Sequence, residues 1–309
     1  IGRIDHPVDD VVPSPLELGY RNRVRFAVAP RDPGRAPEFG YRPRGRGDAV
    51  VPVVTCELAP PRASTLARAF LQALDRAWPD EPRPWPEQLD MRGSLAEGQW
   101  LIVVHDPGGP APELAAVARE AVAREADLAG VVRVVRTPGR PPVETLLAGH
   151  ASVLERIGPA HVELGATTFL QVNPAAAARL YDEVRAALDA PGPPERLLDL
   201  YCGVGLVGLL ATAADTDVLG VELNPVTADR ARRAAERAGR GNVRFVAADA
   251  LEFVRGLAAR GERFDRVVLN PPRQGAGTPV APLVRELDPR AVVVVSCHPA
   301  ALARDLGAF

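Results

Sequence analysis

The stretch LLDLYCGVGLVG at 197–208 runs from an apolar, strand-like segment through three glycines, Gly203, Gly205 and Gly208, into a second apolar segment. Glycines spaced G-x-G-x-x-G after a strand and before a helix give the tight turn and close backbone approach that a nucleotide-like ligand needs. The residues that follow keep the same alternation. RLLDLYC (196–202), VLGVEL (218–223), VRFVAAD (243–249), RVVLN (266–270) and AVVVVSC (291–297) read as strands. A helix from about Leu206, PVTADRARRAAERAG (225–239) and ALEFVRGLAAR (250–260) read as helices, and a loop follows Asn270. Apolar strands alternating with helices predict an α/β fold, a doubly wound parallel sheet buried on both faces.

Ligands of such sheets bind outside the C-terminal strand ends, and acids stand at three of these ends. Glu222 follows Asp199 by 23 residues and is placed to accept hydrogen bonds from ribose hydroxyls, in a nicotinamide or an S-adenosylmethionine site alike. Asp199 separates the two, because a carboxylate there repels pyrophosphate and attracts an ammonium or sulfonium. Asp249 is placed to meet an adenine amino group. Asp199 and Asp249 have a plainer reading as caps of the following helices. Taken together, the three acids favour a methyl-donor pocket.

The fourth strand leads into Asn270-Pro271-Pro272-Arg273-Gln274-Gly275 and the fifth into Ser296-Cys297-His298-Pro299. The two prolines make a rigid turn that presents the Asn270 carboxamide, acceptor and donor together, to a planar ligand edge. A thiol at a strand end is a candidate nucleophile, although a cysteine is more often a small buried hydrophobe, the reading given to Cys56 and Cys202.

Upstream, RVRFAVAP (23–30), AVVPVVTCEL (49–58), QWLIVVHD (99–106) and VVRVVRT (131–137) read as strands. STLARAFLQALDRAW (64–78) and PELAAVAREAVARE (112–125) have helical spacing, and the Pro-rich DEPRPWPEQ (80–88) is a loop. Asn173 before Pro174 starts a further helix, expected to end at Pro191-Gly192. A chain of 309 residues accommodates two domains, placed at 1–160 (α+β) and 161–309.

Hydrophobic residues make up 47% and charged residues 25% of the chain, values that exclude wholesale disorder. The net charge of -2 conceals that all 37 cations are arginine. From Tyr20 to Arg46, Arg21, Arg23, Arg25, Arg31, Arg35, Arg42, Arg44 and Arg46 face only Asp32 and Glu38, with Tyr20, Phe26, Phe39 and Tyr41 interleaved. That mixture holds phosphates and stacks unpaired bases; the alternative is a hairpin with a solvated arginine face and a buried aromatic one. Three widely spaced cysteines exclude a disulfide framework or a C-x-x-C metal knuckle and fit a reducing cytoplasm. The first residues lack a signal peptide's basic and apolar regions, and no apolar run is long enough to span a membrane. A start at Ile1 and an end at Phe309, just after a helix-like start, predict a segment of a longer protein.

TTFLQVNP (167–174), LLDLYCGVGLVG (197–208), VELNP (221–225), AADA (247–250), LNPPRQG (269–275) and VSCHPAALARDL (295–306) resemble, in order, the motifs of the RNA 5-methyluridine methyltransferases. GYRNRVRFAV and FGYRPRGRGDAVVPVVTCEL resemble that family's central domain, so the likeness covers nearly the whole chain. It implies a class I methyltransferase domain using S-adenosylmethionine, with Gln171, Tyr201, Glu222 and Asn270 at the cofactor beside Gly203, Gly205 and Asp249 of the reading above. It also implies a rRNA or tRNA substrate held in part by Arg21, Arg42 and Arg44, a target base flipped out of its stack, and Cys297 attacking carbon 6 of uracil. The protein is expected to act as a monomer away from membranes.

This chain departs from the family at Asn270, where members usually carry Asp, and at Leu206, where some carry Asn. His298 replaces a more usual Asn or Asp and is read as a polar residue at a helix start. The family's glutamate base and last two strands are expected beyond Phe309, and its upstream barrel and cluster-binding cysteines before Ile1. Two other readings remain: an amino-group methyltransferase using Asn-Pro-Pro, against which Arg273 stands in place of an aromatic residue, and an RNA-binding relic without turnover.

Overall fold

RVRFAV at 23–28 alternates, so that Val24, Phe26 and Val28 point to one face of a sheet while Arg23 and Arg25 occupy the other. The computed structural model describes residues 7–32, 34–45, 49–78, 85–190 and 192–309. Contacts divide the chain into two units, one of residues 15–156 and 163–174, the other of the remainder. Around the boundary expected at 160 the chain changes unit three times, at 156/157, 162/163 and 174/175.

In the first unit the strands are β1 (Arg23–Val28), β2 (Phe39–Tyr41), β3 (Val51–Pro52), β4 (Gln88–Gly93), β5 (Trp100–Asp106), β6 (Leu128–Val135) and β7 (Val143–Gly149). Helices α1 (Pro61–Ala77) and α2 (Pro112–Arg124) lie between them in sequence. The sheet order is β3-β2-β1-β4-β5-β6-β7, antiparallel except for the parallel pair β5 and β6, which the chain joins through α2. The core holds Phe26, Leu89, Met91, Ile102 and Val104 from the sheet with Leu66, Phe70 and Leu74 of α1 and Leu114 and Val117 of α2. β3 is two residues long, far less than the run AVVPVVTCEL promised; Pro52 withholds an N–H donor from the ladder.

β4, QLDMRG, buries charges on its second face. Asp90 accepts from Arg23 at 2.6 Å and from Arg25 at 3.0 Å, and pairs with Arg92 at 3.2 Å. Arg92 Nη1 donates to the Gly165 and Thr168 carbonyls, both at 2.6 Å. Burial raises the Asp90 carboxyl, and the Arg23 bond with the charges of Arg92, Arg23 and Arg25 outweighs it, holding the group below its ordinary range.

A hairpin, β8 (Ser152–Ile157) and β9 (Ala160–Gly165), leads to α3 (Pro174–Asp189). In the second unit follow β10 (Arg196–Leu200), α4 (Leu206–Leu210), β11 (Asp217–Glu222), α5 (Pro225–Arg237), β12 (Val243–Ala247), α6 (Ala250–Ala259), β13 (Arg266–Leu269), α7 (Val280–Glu286), β14 (Ala291–Val294) and α8 (Pro299–Leu306). The five strands are parallel in the order β12-β11-β10-β13-β14, the expected doubly wound sheet of a class I methyltransferase fold. Two details differ from expectation. The helix from Leu206 spans only five residues, and α7 forms where a loop was read after Asn270. Pro191, at the expected end of α3, and residues 80–84 of the Pro-rich loop lie outside the described residues. Among the described residues no helix is long and apolar enough to cross a membrane.

Candidate active site

The parallel register brings the C-terminal ends of all five strands of the second unit to one side, and the candidate residues there come from five consecutive strand ends. After β10 come Tyr201, a non-glycine residue at φ 62°, then Gly203 at φ 56° and Gly205 at φ 82°. Gly205 has no alternative here: a Cβ would stand 2.3 Å from the Phe245 ring, and one at Gly220 2.4 Å from the same ring. Phe245 of β12 thus forms the floor of the turn. The sequence reading missed it, and its only trace was the second glycine in the middle of VLGVEL.

Glu222 holds this turn from β11. Its carboxylate accepts from Gly203 N at 3.1 Å and from Asn224 N at 2.9 Å, while Asn224 caps α5 by accepting from Val226 and Thr227 N–H. Asp249 is exposed and caps α6, accepting from Glu252 N at 3.0 Å, as the plainer reading of that residue proposed. Asp199 caps nothing. It is fully buried, and neither carboxylate oxygen has a hydrogen-bond partner among the described residues. Burial, and then the charge of Glu222, push its carboxyl well above the ordinary range. The sequence reading took Asp199 as a fixed negative charge; its burial works against that charge, which a cationic ligand beside it would favour.

β13 and β14 run side by side, Leu269 opposite Val294, with Val295 N donating to Leu269 O at 2.8 Å. Asn270 and Cys297 therefore leave adjacent strand ends. Cys297 is exposed, whereas Cys56 and Cys202 are buried. Burial and the neighbouring Asp199 and Glu222 push the Cys202 thiol up, away from thiolate chemistry. His298 caps α8, its Nδ1 accepting from Ala301 N at 3.2 Å, the helix-start role expected of it. Gln171 belongs to the other unit, where its carbonyl accepts from Asn22 Nδ2 at 3.4 Å.

The arginine-rich segment divides sharply. Arg23 and Arg25 are committed to Asp90, and Arg31 to Asp75 at 2.8 Å. Phe26 and Phe39 are core residues packed edge to face, and Arg68 covers Phe39 at 5.0 Å, so neither ring is open to a base. Arg42, Arg44 and Tyr41 are exposed and Arg21 is half-buried; Arg46 lies outside the described residues.

Residues 197–287 match a family model described as a methyltransferase domain. Over 331 aligned residues the chain is 32% identical to an uncharacterized RNA methyltransferase of Nitratidesulfovibrio vulgaris, covering 99% of this chain and 68% of that protein. The chain belongs to the RNA methyltransferase family. An uncharacterized RNA methyltransferase of Thermosynechococcus vestitus is 33% identical, over 96% of this chain and 66% of its own length, so this RNA methyltransferase chain spans about two thirds of these relatives. In fold it is similar to the tRNA (uracil-54, C5)-methyltransferase of Pyrococcus abyssi, solved in complex with S-adenosyl-L-homocysteine. The TM-score is 0.73 at 21% identity, with 96% of this chain and 71% of that one covered.

Proposed function

We propose that this RNA methyltransferase transfers a methyl group from S-adenosylmethionine to carbon 5 of a uridine in rRNA or tRNA, through a covalent bond to Cys297. The observation that carries the reading is the exposed Cys297 at the end of β14, beside the Asn270 turn at the end of β13, while the other two cysteines are buried. The cofactor fits what the strand ends offer. A buried, unpartnered Asp199 calls for a cationic donor, Glu222 stands beside the glycine turn, and the turn itself is free of side chains at Gly203 and Gly205. S-adenosylmethionine brings an electrophilic methyl group on sulfur together with an ammonium that Asp199 can neutralise.

The chain's own part is nucleophilic. The Cys297 thiolate adds to carbon 6 of the uracil, and the displaced π electrons make carbon 5 nucleophilic towards the methyl group. A base then removes the proton from carbon 5, and those electrons restore the 5,6 double bond as the carbon–sulfur bond breaks and the thiolate leaves. The Asn270 carboxamide, half-buried in its proline-fixed turn, holds a planar edge by donating and accepting together. Arg21, Arg42 and Arg44 hold phosphates of the RNA.

RNA containing 5-fluorouridine tests the reading, because fluorine cannot leave carbon 5 as a proton does. The full-length protein should give an adduct that survives a denaturing gel, Cys297→Ala none, and Cys202→Ala an undiminished one. Methylation of an amino nitrogen without any adduct, or an adduct that survives in Cys297→Ala, would overturn the proposal.

A further inference from the structure

The loop that carries Asn270 is gripped from the helix that follows Cys297. Asp305, the penultimate residue of α8 and only 4% exposed, accepts from the backbone N–H of Ala276 at 2.7 Å through Oδ2. Its Oδ1 takes both Nε and Nη2 of Arg304, at 3.1 and 2.7 Å, and Arg304 Nη2 also donates to the Gln274 carbonyl. Gly275 between them has φ 86°, and a Cβ there would stand 2.2 Å from Arg304 Nη2 and 2.3 Å from Asp305 Oδ2. On the other side of the loop the Tyr201 hydroxyl donates to Ala276 O at 3.4 Å. Ala276 is thus held through both of its backbone polar groups, by the cofactor turn and by the nucleophile's helix.

We propose that Asp305, oriented by Arg304, is a positioning residue that fixes the 270–277 loop, and with it the Asn270 carboxamide, in register with the strand end bearing Cys297. A buried carboxylate that is almost wholly committed to a neighbouring loop is costly unless its bonds are made, and here every described partner lies on α8 or on that loop. Gly275 belongs to the device, since any side chain there displaces the Arg304–Asp305 pair. The inference rests on the uridine methyltransferase reading for its catalytic consequence, but not for the clamp itself.

Two readouts on the full-length protein separate these. Amide exchange at Ala276 should be faster in Asp305→Ala than in the unaltered protein, and close to normal in Asp305→Asn, whose carboxamide oxygen can still accept. Turnover on unmodified RNA, measured below the melting temperature of each variant, should show kcat at least tenfold lower in Asp305→Ala and in Gly275→Ala. KM for RNA should stay within about twofold, and Asp305→Asn should recover much of the loss. Faster exchange with unchanged kcat would leave Asp305 merely structural and overturn the proposal, as would unchanged exchange. If the unaltered protein itself methylates no uridine while the exchange contrast persists, the functional reading has failed and the clamp stands.

Discussion

Asp199→Asn removes one ionisable group from the centre of the sheet without changing its volume, and its effects on stability and on cofactor binding run in opposite directions. The groups facing Asp199 are Glu222, Tyr181 and Cys202, none of them a cation; Tyr181 and Cys202 are themselves pushed up by burial first and by Asp199 next. Because the folded carboxyl titrates above its unfolded value, its contribution to stability is complete below about pH 4 and is lost as pH rises through the folded value. Each unit between the two values costs about 1.4 kcal/mol once both are passed. Asparagine has no such loss, so thermal melts should show the variant gaining on the parent as pH increases. Towards S-adenosylmethionine the order reverses. A bond from the ligand ammonium to an ionised carboxylate contributes about 1.5–3 kcal/mol, so at a pH where the parent carboxyl is ionised the variant should bind about 10- to 150-fold more weakly, and by less where the parent must first give up its proton. Binding to the parent should also release a proton, as the neutral acid gives way to a carboxylate facing a cation. Titration calorimetry in buffers of different ionisation enthalpy reads both quantities. Equal affinity in the two proteins, with no proton release by the parent, would refute the assignment of Asp199 to the ligand.

Glu222→Ala should weaken S-adenosylmethionine by about 1.5–3 kcal/mol, and Glu222→Gln, which keeps one acceptor for Gly203 N, should lie between it and the parent; calorimetry ranks the three. Replacing Arg21, Arg42 and Arg44 together by Ala should reduce affinity for many RNAs alike and flatten the dependence of log K on log salt by about 0.7 for each single-strand phosphate that is no longer neutralised. An unchanged slope in filter-binding assays would assign that face to solvent. Arg92→Met should destabilise the first unit by about 3–5 kcal/mol, as expected when a buried charge loses one partner, and chemical denaturation measures it.

The second unit was legible because its strands are apolar on both faces and its turns carry glycines whose sterics leave no choice: five strands in a doubly wound parallel sheet follow from that alternation, while their order comes from the structure. In the first unit the same reasoning ran out at β4. QLDMRG gave no strand signal because Asp90 and Arg92 look like solvent residues, and only the arrival of Arg23, Arg25 and the 163–174 segment gives them partners. Of the two readings of the arginine-rich segment, Phe26 and Phe39 follow the hairpin one: both rings are in the core, and alternation along β1 puts Arg23 and Arg25 on the opposite face from Phe26. The nucleotide-side acids were found by position alone; their differing states were not, since whether a strand-end aspartate caps a helix, as Asp249 does, or lies stranded in the core, as Asp199 does, depends on side-chain direction.

The guanidinium of Arg92 also dictates how the molecule can be taken apart. Its two carbonyl partners, Gly165 and Thr168, come after a stretch of chain, 157–162, that is counted with the other unit. A gene fragment stopped at 160 would consequently strand an arginine in the interior with two of its acceptors cut away, and a fragment begun at 161 would carry a dozen residues adapted to a surface it no longer has. The pieces that can be shuffled, permuted or grafted are not the two halves of the sequence. An excised first unit needs residues 163–174 returned to it by a designed splice across the hairpin.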